Sequence, residues 1–311
     1  GLVASTLNMS DQDFLAGRLN FTAGSVTAGG LTNRGTITTT SGGSVILVAP
    51  QIENSGIINA PNGDVILAAG HAVRLGDTGA PNVLVEIQAP DTQAINVGEI
   101  VAAGGSASIY AGLIQQKGIV RADSATLDAG GRIVFKATKD VTLAQGSLTS
   151  ASGARGGSIS LESQTGVLQA AGTIEARGHA GPGGSIALTA EVLLQTGDVR
   201  ADGASGGAVT MQARNLLSAG RISADGWLGA GGEINLQASS KLIQTSSARL
   251  SADSTTGDGG SVTVQAAGRV FSSAVLSATG LGAGGKGGAV SVLGNEIVLL
   301  GAALDARGDA G

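Results

Sequence analysis

The chain has no cysteine, five prolines, and aromatic residues at only 2% of its 311 positions. Without cysteine there is neither a disulfide framework nor a thiolate metal site. With so few rings, the interior must be filled by aliphatic side chains. Charge is sparse as well: acidic and basic residues together make 13%, the net charge is −5, and Lys and Arg stand singly. No basic stripe exists to neutralise phosphates, which excludes nucleic acid as the expected partner. No apolar run approaches the ~18 residues of a membrane span; Ile297 to Leu304 is among the longest and is still short.

What is abundant is glycine, 53 residues, within a chain that is 42% hydrophobic. So much glycine can mark disorder. A regular apolar pattern at this density, however, buries enough surface to oppose chain entropy. The pattern is a repeat. Glycine followed by an alternating strand recurs with first apolar residues Ile159, Ile186, Val209, Ile234, Val262 and Val290, at spacings of 27, 23, 25, 28 and 28 residues. Within Gly183 to Gly206, three short apolar pieces are visible, around Ile186, Leu193 and Val199. Each has period-two alternation and is too short for a helix. Gly, Ser, Asp and Asn between them turn the chain at little steric cost.

Three strands per roughly 25 residues wind as a coil, and stacked coils pair each strand with its equivalents above and below. The expected fold is all-β, a right-handed parallel β-helix of about ten or eleven coils. The period breaks between His71 and Gly98, where Val83 to Ile87 forms an extra strand between Pro81 and Pro90; it reads as a hairpin outside the stack. At the amino terminus Leu2 to Leu7 reads as a strand, and Ser10 to Asp13 before Phe14 and Leu15 as a capped helical turn. Phe14 and Phe21 would supply bulk for a lid on the open end of the stack. The last strand, at Leu304, would leave a bare edge, so the native chain is expected to continue.

The residues Gly1 to Phe21 and Gly42 to Gly76 (GGSVILVAPQIENSGIINAPNGDVILAAGHAVRLG) resemble the secretion domain of filamentous haemagglutinin-like exoproteins of two-partner secretion systems. The later coils, with Ile174 to Gly178 and Leu304 to Gly308, resemble the glycine-rich shaft that follows in such proteins. The resemblance implies a division into residues 1–98, the end of a secretion-type domain, and residues 99–311, a shaft continuous with it. It further implies export through an outer-membrane transporter to the surface of a Gram-negative bacterium, and an adhesin's contact with host-cell or matrix receptors or glycans. The Asn-Pro-Asn motif of such domains has no match here, so the fragment is expected to begin partway through the domain. A polysaccharide-binding or polysaccharide-cleaving β-helix protein, and the stalk of a contact-dependent toxin, are the alternatives.

No cofactor motif survives inspection. Gly280, Gly282 and Gly285 spell GxGxxG beside Lys286, but phosphate binding needs a helix after the turn, and Ala289 to Leu293 reads as a strand. The position after the alanine of each third strand holds Asp123, Arg177, Asp202, Asp225, Asp253, Thr279 and Arg307. Asp202, Asp225 and Asp253 would stack about 4.8 Å apart, close to a retaining glycosidase pair, with Trp227 as a sugar platform. The plainer expectation is that these are turn aspartates fanning into water. Arg307, Gly308 and Asp309 form an RGD tripeptide, a candidate adhesion site.

Overall fold

In the computed structural model, which describes residues 1–23, 29–76, 84–88, 91–124 and 130–309, the chain is a parallel β-solenoid. Its main sheet holds 17 strands, and an eleven-stranded parallel sheet runs the length of the molecule from Thr36–Thr38 to Ala303–Asp305. The aligned apolar residues form one continuous column, with Ile159 opposite Ile186, then Val209, Ile234, Val262 and Val290. The first five are 0–1% exposed. An aliphatic core runs without interruption from Val45 to Ala278, and Phe135 is its largest buried side chain.

The glycines before each first strand are required by the distance between coils. A Cβ added at Gly232 would lie 2.0 Å from the carbonyl oxygen of Gly207 in the coil below, closer than any real contact. The backbones of successive coils meet here with no room for a side chain.

The expected three short strands hold up to Val167–Ala170, and then the pattern changes. From Ser185–Gln195 onward the first and second strands fuse into single strands of 11 or 12 residues. In Ser185–Gln195 the bend between the halves contains Ala190, Glu191 and Val192; in later coils the strand continues through bends that hold Asn215, Gly268, or Gly294 and Asn295. The coil of Glu233–Gln244 has one more residue at this bend, and the register shifts there.

The extra strand near 71–98 does lie outside the stack. Ala72–Gly76 pairs antiparallel with both Leu84–Gln88 and Leu19–Thr22, forming a separate three-stranded sheet. This sheet rests on the outer face of the early coils, where Leu7, Phe21, Val48, Ile66, Ala68, Val73 and Leu75 make a second small core. Pro81 and Pro90 lie outside the described residues. The helical turn is Asp11–Leu15, with the Ser10 hydroxyl accepting from the Asp13 N–H. Of the two expected lid residues, only Phe21 is buried; Phe14 is 74% exposed because none of the turn's residues packs on the stack.

Candidate functional site

The corner after the third strand is built the same way in successive coils. An alanine (Ala201, Ala224, Ala252, Ala278) fills the interior with no exposure. The next residue sits at the corner. After it come Gly203, Gly226, Ser254, Gly280 and Gly308, joined by parallel bridges from Gly203 to Gly226 and onward to Gly308.

Asp202, Asp225 and Asp253 are therefore brought together in consecutive coils, but they do not fan into water. Each side chain turns along the solenoid axis and accepts the backbone N–H of its equivalent one coil on. Asp225 N–H donates to Asp202 Oδ1 at 3.0 Å, Asp253 N–H to Asp225 Oδ1 at 2.9 Å, and Thr279 N–H to Asp253 Oδ1 at 2.6 Å. The Ser251 hydroxyl also donates to Asp225, and the Ser277 hydroxyl to Asp253 at 2.6 Å. A buried N–H must find an acceptor, and the corner residue of each coil supplies it for the next.

The same clip exists further down, where the Ser152 N–H donates to Asp123 at 2.7 Å and the Arg177 N–H to Ser152 Oγ at 3.0 Å. Ser152 carries no charge, so nothing in the sequence marks it as the acceptor that stands between Asp123 and Arg177.

Burial is the main influence on Asp225, pushing its carboxyl up to about 6; hydrogen bonds from Ser251 and the Asp253 N–H pull it down, and the charges of Asp202 and Asp253 raise it. Arg221 stands 3.7 Å from Asp225, and Arg177 3.8 Å from Asp202. The indole of Trp227 is half-buried, and its backbone carbonyl accepts the hydroxyls of Thr255 and Thr256, both at 3.1 Å. The clip joins three stacked carboxylates, one of them held near neutrality's acid edge. Their inner oxygens are committed to backbone donors.

Arg307, Gly308 and Asp309 occupy the corresponding corner of the last coil. The Arg307 side chain forks onto Asp305, with Nε and Nη2 donating at 2.9 and 2.7 Å. Asp309 N–H is held by the carbonyls of Gly280 and Gly285, and its carboxylate accepts the Gly284 N–H at 3.2 Å. The guanidinium remains 81% exposed, and both charged heads already have intramolecular partners. The glycine run before Lys286 leads into the strand Ala289–Leu299, and the Lys286 N–H donates to Asp258 at 2.8 Å.

A feature absent from the sequence reading lies inside the coils. The residues ending the second strand form an amide ladder, with Asn33 Nδ2 donating to Asn54, Asn54 to Asn96, and Asn96 to Gln116, each at 2.8 Å. After Leu143 and Ala170, polar residues return at this position as Gln195, Ser218, Gln244 and Ser272, all fully buried. Their recurrence once per coil is the signal that would have exposed the ladder. No described helix is long and apolar enough to cross a membrane.

No family model matches the sequence, and no curated protein does. Among solved structures, the chain is similar to the crystal structure of the HMW1 secretion domain from Haemophilus influenzae. The TM-score is 0.62 at 24% identity, covering 99% of this chain and 73% of that one. This likeness places the fold among parallel β-solenoids.

Proposed function

We propose that the chain is a segment of a bacterial exoprotein exported by two-partner secretion, in which residues 1–98 close a secretion-type domain and residues 99–311 are shaft. The observation that carries the division is the antiparallel sheet laid over the early coils; the likeness to the HMW1 secretion domain spans 99% of the chain and supports export rather than the boundary at 98. A regular shaft needs no such sheet. It gives the early coils a surface that differs from every later one, which is what a transporter needs in order to recognise one end of a repetitive substrate. In this reading the chain is a non-enzymatic spacer, located outside the cell or on its surface, that presents adhesive parts to receptors or glycans.

The test is export of the full exoprotein from a Gram-negative host with and without its cognate outer-membrane transporter. The protein reaches the medium or the cell surface only with the transporter, and removing the sheet formed by 19–22, 72–76 and 84–88 abolishes export. Release independent of the transporter would overturn the reading.

The stacking of Asp202, Asp225 and Asp253 in consecutive coils, with Trp227 two residues beyond Asp225, favours a second reading, a glycan-binding corner. If Asp225→Asn leaves binding of acidic polysaccharides unchanged, this second reading fails and the first stands.

A further inference from the structure

The outer face of the second strand carries an apolar column over which none of the described strands or helices is laid. From Leu194 on, the outward residue near the end of this strand is apolar, and in the four coils from Leu194 to Phe271 the inward residue after it is polar (Gln195, Ser218, Gln244, Ser272); in the fifth, Leu299 takes that place. Leu194, Leu217, Ile243, Phe271 and Val298 stand in one column, each in register with the next. They are half-buried, and none belongs to the coil core. One coil earlier the position is Gln169, which is exposed, so the apolar stripe begins at Leu194.

Elsewhere in this chain an outward apolar face is covered. Ile46, Val48, Ile66, Ala68 and Tyr110 lie beneath the antiparallel sheet of the early coils. Among the described residues no strand or helix lies over the column from Leu194 to Val298; its strands pack on their neighbouring coils.

We propose that this column is a lateral self-association surface, occupied by a second copy of the chain lying parallel alongside the first. The period of the column selects that occupant. The column advances by one β-sheet spacing per coil, about 4.8 Å. A second copy has the same rise, so the two columns stay in phase over every rung, whereas a surface of another period drifts out of step.

Charge selects the parallel arrangement. Lys241 and Arg269 flank the column on one side and Thr245 and Ser273 on the other. A two-fold axis along the solenoid sets Lys241 and Arg269 against the second copy's Thr245 and Ser273. The antiparallel arrangement would set the side that holds Lys241 and Arg269 against the same side of the second copy. Arg269 is already neutralised by Glu296 at 2.6 Å, so it makes no demand on a partner.

Size sets the strength. Five half-buried side chains fall short of the ~800 Å² per partner of a stable interface, so this is a weak contact that grows with the number of coils engaged.

The absence of cysteine makes the test clean, since any introduced thiol is the only one. Ile243→Cys and Phe271→Cys, each prepared alone in the full chain and mildly oxidised, give disulfide-linked dimers. Thr210→Cys, outward on the first strand, gives none. Sedimentation velocity of the unaltered chain shows a concentration-dependent increase in mass, and Ile243→Lys shifts its midpoint upward by about tenfold or more. Dimer yields at 243 and 271 no greater than at 210, together with one sedimentation coefficient at every concentration, would overturn the proposal. A mixture of Leu217→Cys and Phe271→Cys that links better than Phe271→Cys alone would overturn the parallel arrangement. Binding of the monomeric chain to phosphatidylcholine vesicles, with no self-association, would overturn the choice of occupant.

Discussion

A single carboxylate shows how an all-β repeat can become pH-sensitive without a histidine. Asp225 is flanked along the axis by Asp202 and Asp253 and from its own coil by Arg221; Arg249, in the coil above, donates instead to the carbonyls of Ser246 and Ala248. With its folded-state value about 6 against an ordinary 3.8, the native chain holds a proton that the unfolded chain has released between those values. Stability from this residue is therefore greatest in acid and declines as pH rises through about 6, by about 1 to 3 kcal/mol. Asparagine keeps the acceptor oxygen for Ser251 and the Asp253 N–H and removes the charge. Urea unfolding at pH 7.5 is expected to find Asp225→Asn at least as stable as the parent, with the gap closing at pH 4.5. A variant that loses more stability at pH 7.5 than at pH 4.5 would show that the ionised form is the one the corner favours. The position of this aspartate could be read from the sequence, but its direction could not. Asp before Gly is ordinary turn chemistry whether the side chain points to water or along the axis, and only the neighbouring coil's unpaired N–H decides between them.

At the scale of the strand, an aliphatic ladder runs through the coils, and beside it runs a polar one, amide from Asn33 to Gln116, interrupted at Leu143 and Ala170 and resumed from Gln195 to Ser272. The aliphatic ladder was legible because glycine marks the start of each first strand and fixes which residue points inward. The amide ladder was not. Asn33, Asn54 and Asn96 are residue types that read as turns, and they lie next to turns. Their burial follows from stacking: each carboxamide donates to the one above and accepts from the one below, a pairing available only when the coils are in register. The fused strands from Ser185 onward escaped detection for a related reason, since period-two alternation does not report a bend. The ladder's worth can be measured. Asn54 is fully buried, accepts from Asn33 and donates to Asn96. Replacing it with leucine leaves a donor on Asn33 and an acceptor on Asn96 without partners. The expected cost is about 2 to 4 kcal/mol, read as a lower urea midpoint with the slope unchanged. If Asn54→Leu unfolds at the parent's midpoint, the amides are filling space and their hydrogen bonds contribute nothing net.

Across the whole molecule, stability is a sum over coils and their interfaces, because each coil touches only the one before and the one after. The early coils gain an additional contribution from the outer sheet, where Phe21, Val73 and Leu75 bury the outward face of Val48 and Ile66. The middle coils have neighbours on both sides, and their inward residues Ile186, Val209 and Ile234 are 0–1% exposed. The coil of Ala289–Leu299 and Ala303–Asp305 has a described neighbour on one side only, and Leu293, Ile297, Leu299 and Leu304 are between 43% and 49% exposed. Amide hydrogen exchange should follow this order. Amides of Ala289–Leu299 and Ala303–Asp305 exchange first, through opening of one interface. Those of Ser185–Gln195 and Ala208–Ser218 exchange last, since releasing them breaks two interfaces at once. Carried out on the full chain at neutral pH, the experiment also locates the contribution of the outer sheet. Protection of Val45–Ala49 equal to that of the middle coils means that the sheet compensates for their position near one end. Protection as low as that of the last coil would mean that it rests on the stack without stabilising it. A uniform exchange rate along the chain would instead show that the solenoid unfolds as one cooperative unit, and would remove the additive picture.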